Sequence, residues 1–357
     1  MEKGGISAID YQFAKEAKVR GGKMKALVTA NFTKQGLERL KRFMDIVYEP
    51  WGETQKLYMA EELAEKLKGL GADVVVLETD LCHEEVFEQV ELKIIGVCRG
   101  EPLNVDTELA TAKGIPVFYT PGRNADAVAD LTIGFMLCLL RKIIAAHSLL
   151  VSGGYEPEEP KDHMLMLKRM TGFELGAKTV GIVGFGAIGR GVAKRLAGFG
   201  TRILAYDPFL QPELFKEYNV EPVSLEDIFS KSDIITLHAA INEKTEGMIT
   251  GALLRRMKPD AYFLNLARAE LVDCDTLLDM LKNHKIAGAA IDVFFSEPPK
   301  KDDPFLHLDN CIVTPHLGGC TAEVVNHQTD MIMHDIEAYL TGGRPRWIYN
   351  PEVLRQK

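Results

Sequence analysis

Short apolar runs alternate along this chain with stretches whose apolar residues recur at helical spacing. That alternation predicts parallel sheets built from strand, helix, strand units. A first block holds candidate strands at 24–30 (MKALVTA), 73–77 (DVVVL), 92–97 (LKIIGV) and 115–119 (IPVFY). Between the first two lies an amphipathic stretch from Leu57 to Leu70, apolar at 57, 63, 67 and 70. One long helix is expected from about Asp126 to Val151, followed by the polar loop GGYEPEEPKD. A second block offers six strands, at 179–184, 202–207, 233–238, 261–266, 286–294 and 311–315, enough for a complete doubly wound sheet. Residues 321–339 read as a helix, and the tail after it, having no sheet of its own, is expected to cross back and complete the first block. The pattern thus points to an α/β protein with two doubly wound parallel-sheet domains.

The length of 357 residues fits two cores better than one. A formal charge of −9 argues against nucleic acid as the main partner, because phosphate backbones need a basic face. The longest apolar run, LTIGFMLCLL at 131–140, is about half of what a bilayer span requires and reads as a buried helix. The N-terminal stretch lacks the apolar core of a signal peptide, so a cytoplasmic location and no membrane partner are expected. Six cysteines (Cys82, Cys98, Cys138, Cys274, Cys311 and Cys320) are scattered, without metal-type spacing. Reduced thiols, and no metal site, are the expectation.

Chemistry enters with TVGIVGFGAIGRGVAKRLAGFG. Its GxGxxG is carried by Gly184, Gly186 and Gly189, after a strand and at the opening of a helix. The first glycine permits a tight turn, the second lets a pyrophosphate approach the backbone, and the third allows close packing of helix on strand. The exposed N–H groups of such a helix start face phosphates. The following strand ends in Asp207, whose carboxylate suits the ribose hydroxyls of NAD and repels the 2'-phosphate of NADP.

Three further strand ends carry unusual residues. Arg268 follows AYFLNLA, Glu297 follows IDVFFS, and His316 follows IVTP in the stretch TPHLGGC. Each alone reads as a surface, loop or structural residue. Together, beside a dinucleotide loop, they supply a base for a hydroxyl proton, a carboxylate for the imidazole, and a guanidinium that binds a carboxylate and polarises a carbonyl. Gly318 and Gly319 keep the backbone slim where a nicotinamide would lie against it.

At this point the chain resembles the D-isomer-specific 2-hydroxyacid dehydrogenases, near their phosphoglycerate-dehydrogenase-like branch. The resemblance covers roughly residues 75–325, through VCRGEPLNVD, GIVGFGAIG, AYDPF, MKPDAYFLNLARAELVD, AAIDVFFSEPP and TPHLGG. It implies a flavodoxin-like substrate domain at 24–125 completed by 326–357, a Rossmann NAD domain at 126–325, an extension at 1–23, and a cleft between the domains. It places the catalytic arginine, glutamate and histidine on Arg268, Glu297 and His316. Cofactor contacts fall on Gly186, Ala187, Ile188, Asp207, His238, Ala267 and Asp292, the last as partner of the nicotinamide amide. The loop that receives the substrate carboxylate falls on Arg99 and Gly100. The helix from Asp126 and the loop after it resemble the family's dimerisation region, which implies a homodimer.

Some positions depart from the family pattern. Glu101 stands where a small residue is common, Glu270 where glycine is frequent, and LHAAINEKT lacks the proline that often follows its histidine. Arg99, Arg123 and Asn124 are candidates for reading the rest of the substrate, as a phosphate or as the hydroxyls of a sugar acid. The alternative is that both arginines make ion pairs. The main expectation is an NAD-dependent dehydrogenase interconverting a D-2-hydroxy acid and the 2-oxo acid, 3-phosphoglycerate being one such substrate. A rival from another class is an NAD-sensing, corepressor-like binding protein with the same fold.

Overall fold

The computed structural model describes residues 23–354; the extension expected at 1–23 therefore lies, but for Lys23, outside the described residues. Tertiary contacts divide the chain into two compact units: one made of the residues up to Arg123 together with those from Thr321 onward, the other Asn124–Cys320. Both cuts fall slightly earlier in the chain than the domain limits of 125 and 325.

The first unit is built on five parallel strands: β1 (Met24–Val28), β2 (Met44–Tyr48), β3 (Val74–Leu77), β4 (Ile94–Val97) and β5 (Val117–Tyr119), ordered β2-β1-β3-β4-β5. β3 and β4 are buried along their whole length, as a sheet covered on both faces requires. β2 is the strand missing from the sequence pattern: MDIVY is a half-exposed edge strand, so its apolar run is short and interrupted by Asp45. The predicted helix at 57–70 begins only at Ala60, with Leu63 and Leu67 in the core and Leu57 exposed in the loop before it.

The helix Ala322–Leu340 lays Ile332, Met333 and Ile336 onto this first sheet. Beyond it the tail runs back beside β5: Tyr119 N–H donates to the Trp347 carbonyl (3.1 Å), and Tyr349 N–H to the Val117 carbonyl (2.8 Å). Two side chains fix that return. Buried Asp335 accepts from the N–H groups of Arg346 and Trp347 (2.8 and 2.7 Å), and Asn350 bonds Val117 N–H and the Ile115 carbonyl.

The second unit has seven parallel strands: β6 (Thr179–Val183), β7 (Arg202–Tyr206), β8 (Glu221–Pro222), β9 (Ile234–Leu237), β10 (Tyr262–Asn265), β11 (Gly288–Ile291) and β12 (Cys311–Val313). Their order is β12-β11-β10-β9-β6-β7-β8, so the winding reverses between β6 and β9. Ligands of open parallel sheets bind at such a reversal, beyond the carboxyl ends of the strands. Six of these strands match the sequence pattern; β8, two exposed residues long, carries no apolar signal.

The single helix expected from Asp126 to Val151 is two: Ala125–Leu140 and Ile143–Val151. Lys142 between them has a left-handed backbone (φ 53°), and the Leu140 carbonyl accepts the N–H of Phe173 (3.0 Å) while Gly172 packs directly against it. A returning loop thus occupies the helix end, which the apolar pattern does not register. The first helix is largely buried, whereas the second has no buried residue. Among the described residues no helix is long and apolar enough to cross a membrane.

Candidate active site

The register of the second sheet aligns one edge. Val183, Tyr206 and Leu237 are partners across β6, β7 and β9, and Asn265, Ile291 and Val313 continue the row across β10, β11 and β12. The residues that follow these positions therefore emerge together, and they include most of the candidates read from the sequence.

At the reversal stands the glycine loop. Gly184 has φ 89°, and a side chain there would meet the backbone of Ala239 at 2.5 Å, so both conformation and space demand glycine. A Cβ on Gly189 would lie 2.2 Å from the Gly184 carbonyl oxygen, the close approach of helix to loop. Gly186 differs, since a Cβ there would meet nothing within 4 Å. It caps the helix Ala187–Ala197 without a side-chain bond, so the first N–H groups of that helix, at Ala187, Ile188 and Gly189, receive no side-chain acceptor from the cap.

Asp207, one residue past β7, is half-buried. One carboxylate oxygen accepts the N–H of Phe185 (2.9 Å) and the other that of Phe209 (3.1 Å). The carboxylate is thereby held against the glycine loop, and each oxygen keeps a lone pair for a further donor. His238 follows β9. Its Nε2 lies 2.9 Å from the Thr236 hydroxyl, and its Nδ1 is buried with no partner among the described residues. Burial pushes its pKa down to about 3, so the ring is neutral and offers one unused polar atom. A cradle open at Gly186, an oriented carboxylate and an unpartnered buried nitrogen fit a dinucleotide: phosphates at the helix start, ribose hydroxyls at Asp207.

The rest of the edge carries the reactive candidates. Asn265, buried at the end of β10, accepts the Ala267 N–H (3.0 Å) and donates to the Arg268 carbonyl (2.9 Å). That side chain shapes the turn which presents Arg268. Arg268 is exposed, donates to the Ala267 carbonyl (2.7 Å), and has no carboxylate partner among the described residues. A guanidinium held by its own loop and not neutralised is suited to binding a carboxylate.

His316 and Glu297 meet: Nδ1 and Oε2 are 2.7 Å apart, the side chains being 42% and 39% exposed. The other glutamate oxygen accepts the N–H of Phe294 (3.2 Å). An ionised carboxylate only accepts, so the bond places the proton of a neutral imidazole on Nδ1 and leaves Nε2 as the acceptor. His316 has φ 58°, an uncommon conformation for a residue with a side chain, costing on the order of 1 kcal/mol.

Asp292, fully buried after β11, holds that conformation. One oxygen accepts the Thr314 hydroxyl (2.5 Å) and the Leu317 N–H (2.7 Å), the other the Gly318 N–H (2.8 Å). A side chain at Gly318 would stand 3.0 Å from that carboxylate, so glycine here serves close packing on Asp292. The resemblance implies an amide contact for Asp292, whereas all three of its bonds in the structure run to the loop that carries His316. Asn265 and Thr314 are absent from the sequence reading. The signal available for both was a polar residue closing an apolar strand, where a buried polar group needs partners.

Of the remaining candidates, Asn124 caps the helix Ala125–Leu140 in the second unit, and its amide would lie 3.0 Å from a Cβ on Gly319. Arg99, Gly100 and Arg123 belong to the first unit. The Arg99 carbonyl accepts from Thr120, Gly100 has open space where a side chain would be, and Arg123 is ion-paired with Glu78 (3.2 Å). For Arg123 the ion-pair alternative is therefore the one observed.

Comparison with known proteins agrees with this geometry. Residues 133–318 match the family model described as D-isomer specific 2-hydroxyacid dehydrogenase, NAD binding domain. The chain is 40% identical over 312 residues to the putative 2-hydroxyacid dehydrogenase YoaD of Bacillus subtilis, covering 87% of this chain and 89% of that one. It is 35% identical over 333 residues to a glyoxylate reductase of Thermococcus litoralis, covering 93% and 98%. Among solved structures, the TT0316 protein of Thermus thermophilus superimposes with a TM-score of 0.77 at 28% identity, over 91% of this chain and all of that one. A glycine cradle, an oriented acid, and a histidine paired with a glutamate at one sheet edge thus sit in a chain that belongs to the D-isomer-specific 2-hydroxyacid dehydrogenases, NAD-dependent oxidoreductases.

Proposed function

We propose that Arg268, Glu297 and His316 carry the reaction, which interconverts a D-2-hydroxy acid and its 2-oxo acid. The observation that carries this reading is the 2.7 Å bond between His316 Nδ1 and Glu297 Oε2, which orients an imidazole and leaves its Nε2 to accept a proton. In the oxidising direction Nε2 takes the hydroxyl proton as the hydroxyl carbon loses hydride. In reverse the protonated ring returns it to the oxo oxygen. Glu297 stabilises the charged ring in both directions. Arg268 binds the substrate carboxylate and draws electron density from the carbonyl oxygen. When bound, NAD supplies the hydride acceptor. The helix start at Gly186–Gly189, Asp207, His238, Ala267 and Gly318 hold it, while Asn124 receives the rest of the substrate.

The exposed apolar face of Ile143–Val151 and Pro160–Arg169, including Leu150, Val151, Met164 and Leu165, supports a homodimer. The protein works in the cytoplasm, in line with the uncharged run at 131–140 being a buried helix.

Replacing His316 with Asn tests the mechanism. Turnover of 2-hydroxy acids is expected to fall at least about a hundredfold, the usual worth of a positioned acid or base, while NADH binding stays near the parent value. Turnover near the parent rate would remove His316 from the reaction. Tight NADH binding without turnover of any 2-hydroxy or 2-oxo acid in the parent would favour the binding-protein reading.

A further inference from the structure

We infer that Arg190 is the cation that neutralises the dinucleotide's pyrophosphate, bonding it through Nε and Nη2. This rests on the glycine loop holding the cofactor and adds a residue that the GxGxxG motif itself does not contain.

Arg190 is the fourth residue of the helix Ala187–Ala197, one past Gly189. Helical side chains lean toward the N-terminus of their helix, so Arg190 reaches back over the helix start. Its Nη1 donates to the carbonyl of Phe185 (3.2 Å), a residue that precedes the helix. Phe185 is itself fixed. Its ring is fully buried, stacked on Phe215 (centroids 5.0 Å apart) and edge-on to Tyr218 (5.6 Å), and its N–H donates to Asp207. One buried residue thus holds the acid by its N–H and the guanidinium by its carbonyl, and no ion pair joins the two charges.

The charge on Arg190 is therefore uncompensated. Among the arginines of the second unit only Arg190 and Arg195 are half-buried, and both lie on this helix. Arg195 is ion-paired with Asp126 and Asp130, whereas Arg190 has no carboxylate partner among the described residues. A partly desolvated cation without a counter-charge is costly unless an anion arrives. Nη1 is spent on the loop carbonyl, while Nε and Nη2 have no partner among the described residues. Those two carry the parallel N–H pair that fits two oxygens of a phosphate. Gly186, Ala187 and Ile188 bring no charged side chain to the cradle. The N–H groups of a helix start supply about half a unit of positive charge, whereas a pyrophosphate diester carries a negative charge on each phosphate. Arg190 adds a full unit from the same loop.

The test titrates NADH and ADP-ribose into the parent chain and its Arg190→Gln and Arg190→Lys variants, at ionic strengths of about 0.01 and 0.15 M, where screening lengths are roughly 30 and 8 Å. Arg190→Gln is expected to weaken both ligands about 10- to 100-fold at the lower salt, the usual range for a bond to a charged group. Its affinity should also respond less to salt than the parent's. Arg190→Lys, which keeps the charge but loses the fork, should restore the salt response and part of the affinity. Without ligand, Arg190→Gln should melt no lower than the parent, since it sheds an unpaired half-buried charge. NADH affinity within about twofold of the parent overturns the inference. So does an affinity loss with an unchanged salt response and a lowered melting point, which would make Arg190 a tether of the loop. A parent without measurable NADH affinity would take the cofactor reading down as well.

Discussion

Asp292→Asn separates two roles for one carboxylate. In the structure Asp292 accepts three donors, the Thr314 hydroxyl and the N–H groups of Leu317 and Gly318, and is fully buried. An asparagine whose amide oxygen stays toward Thr314 and Leu317 keeps those two bonds, weakened because the acceptor is no longer charged. Its amide nitrogen then faces the Gly318 N–H, donor against donor. An orphaned buried donor costs about 1–3 kcal/mol, and two charged-acceptor bonds reduced to neutral ones add roughly 1–2 kcal/mol more. The loop at His316 should lose about 3 kcal/mol, which for a unit of this size is roughly 6–12 °C in thermal midpoint. Because the left-handed backbone of His316 is anchored through that loop, turnover should fall at least about tenfold as well. The assays are thermal unfolding of the apo protein, steady-state turnover, and NADH titration by fluorescence. A midpoint within about 2 °C of the parent, with NADH affinity alone reduced, would show Asp292 to be a nicotinamide contact and refute the loop-anchoring argument.

Other expectations are as definite. His238 is held neutral by burial with a folded pKa of about 3, below the ordinary 6.5, so the unfolded chain takes up its proton first as pH falls. The stability this supplies is complete above pH 6.5 and is lost progressively toward pH 3, about 2 kcal/mol of it by pH 5. Urea unfolding at pH 7 and pH 5 should show His238→Gln losing less stability on acidification than the parent; equal losses would contradict it. Asp207→Asn should weaken NADH binding about 10- to 100-fold and narrow the gap to NADPH, since a charge-assisted acceptor is replaced and the repulsion of a 2'-phosphate is removed. Unchanged discrimination in paired titrations would place selectivity elsewhere. Leu150→Glu combined with Leu165→Glu should convert a dimer to a monomer by light scattering at micromolar concentration, with the far-ultraviolet spectrum preserved; a monomeric parent would end that reading.

Much of the architecture was legible because the two sheets are parallel and covered on both faces. Strands such as VVVL at β3 and IITL at β9 are continuous apolar runs that local pattern reveals. The edge strand β2 and the two-residue β8 lack that burial and were therefore invisible. The helix break at Lys142 depends on Phe173 and Gly172 reaching back to Leu140, a contact 30-odd residues away that no local periodicity encodes. At the site, Gly184, Asp207, Arg268, Glu297 and His316 could be picked out because strand ends with polar residues are few. What the sequence withheld was who holds whom: Asn265 under Arg268, Asp292 under His316, and Glu78 against Arg123. The first is a turn within one strand end, while the other two join different strand ends that only the sheets bring together.

The return of the tail beside β5 also imposes an order on folding. Everything from Asn124 to Cys320 is contiguous, so the second unit has all its strands once that segment has left the ribosome. The first unit begins earlier in the chain yet finishes last. Its sheet lacks the helix Ala322–Leu340, the Asp335 clamp on Arg346 and Trp347, and the backbone bonds from β5 to Trp347 and Tyr349 until the final residues are made. During synthesis the apolar surface that Ile332, Met333 and Ile336 later cover is left bare for about 200 residues of translation, on the order of 10–40 s at ordinary ribosomal rates. The half that emerges first is thus the half exposed longest, and truncating the chain after Cys320 should yield a finished second unit attached to a first whose sheet stays uncovered.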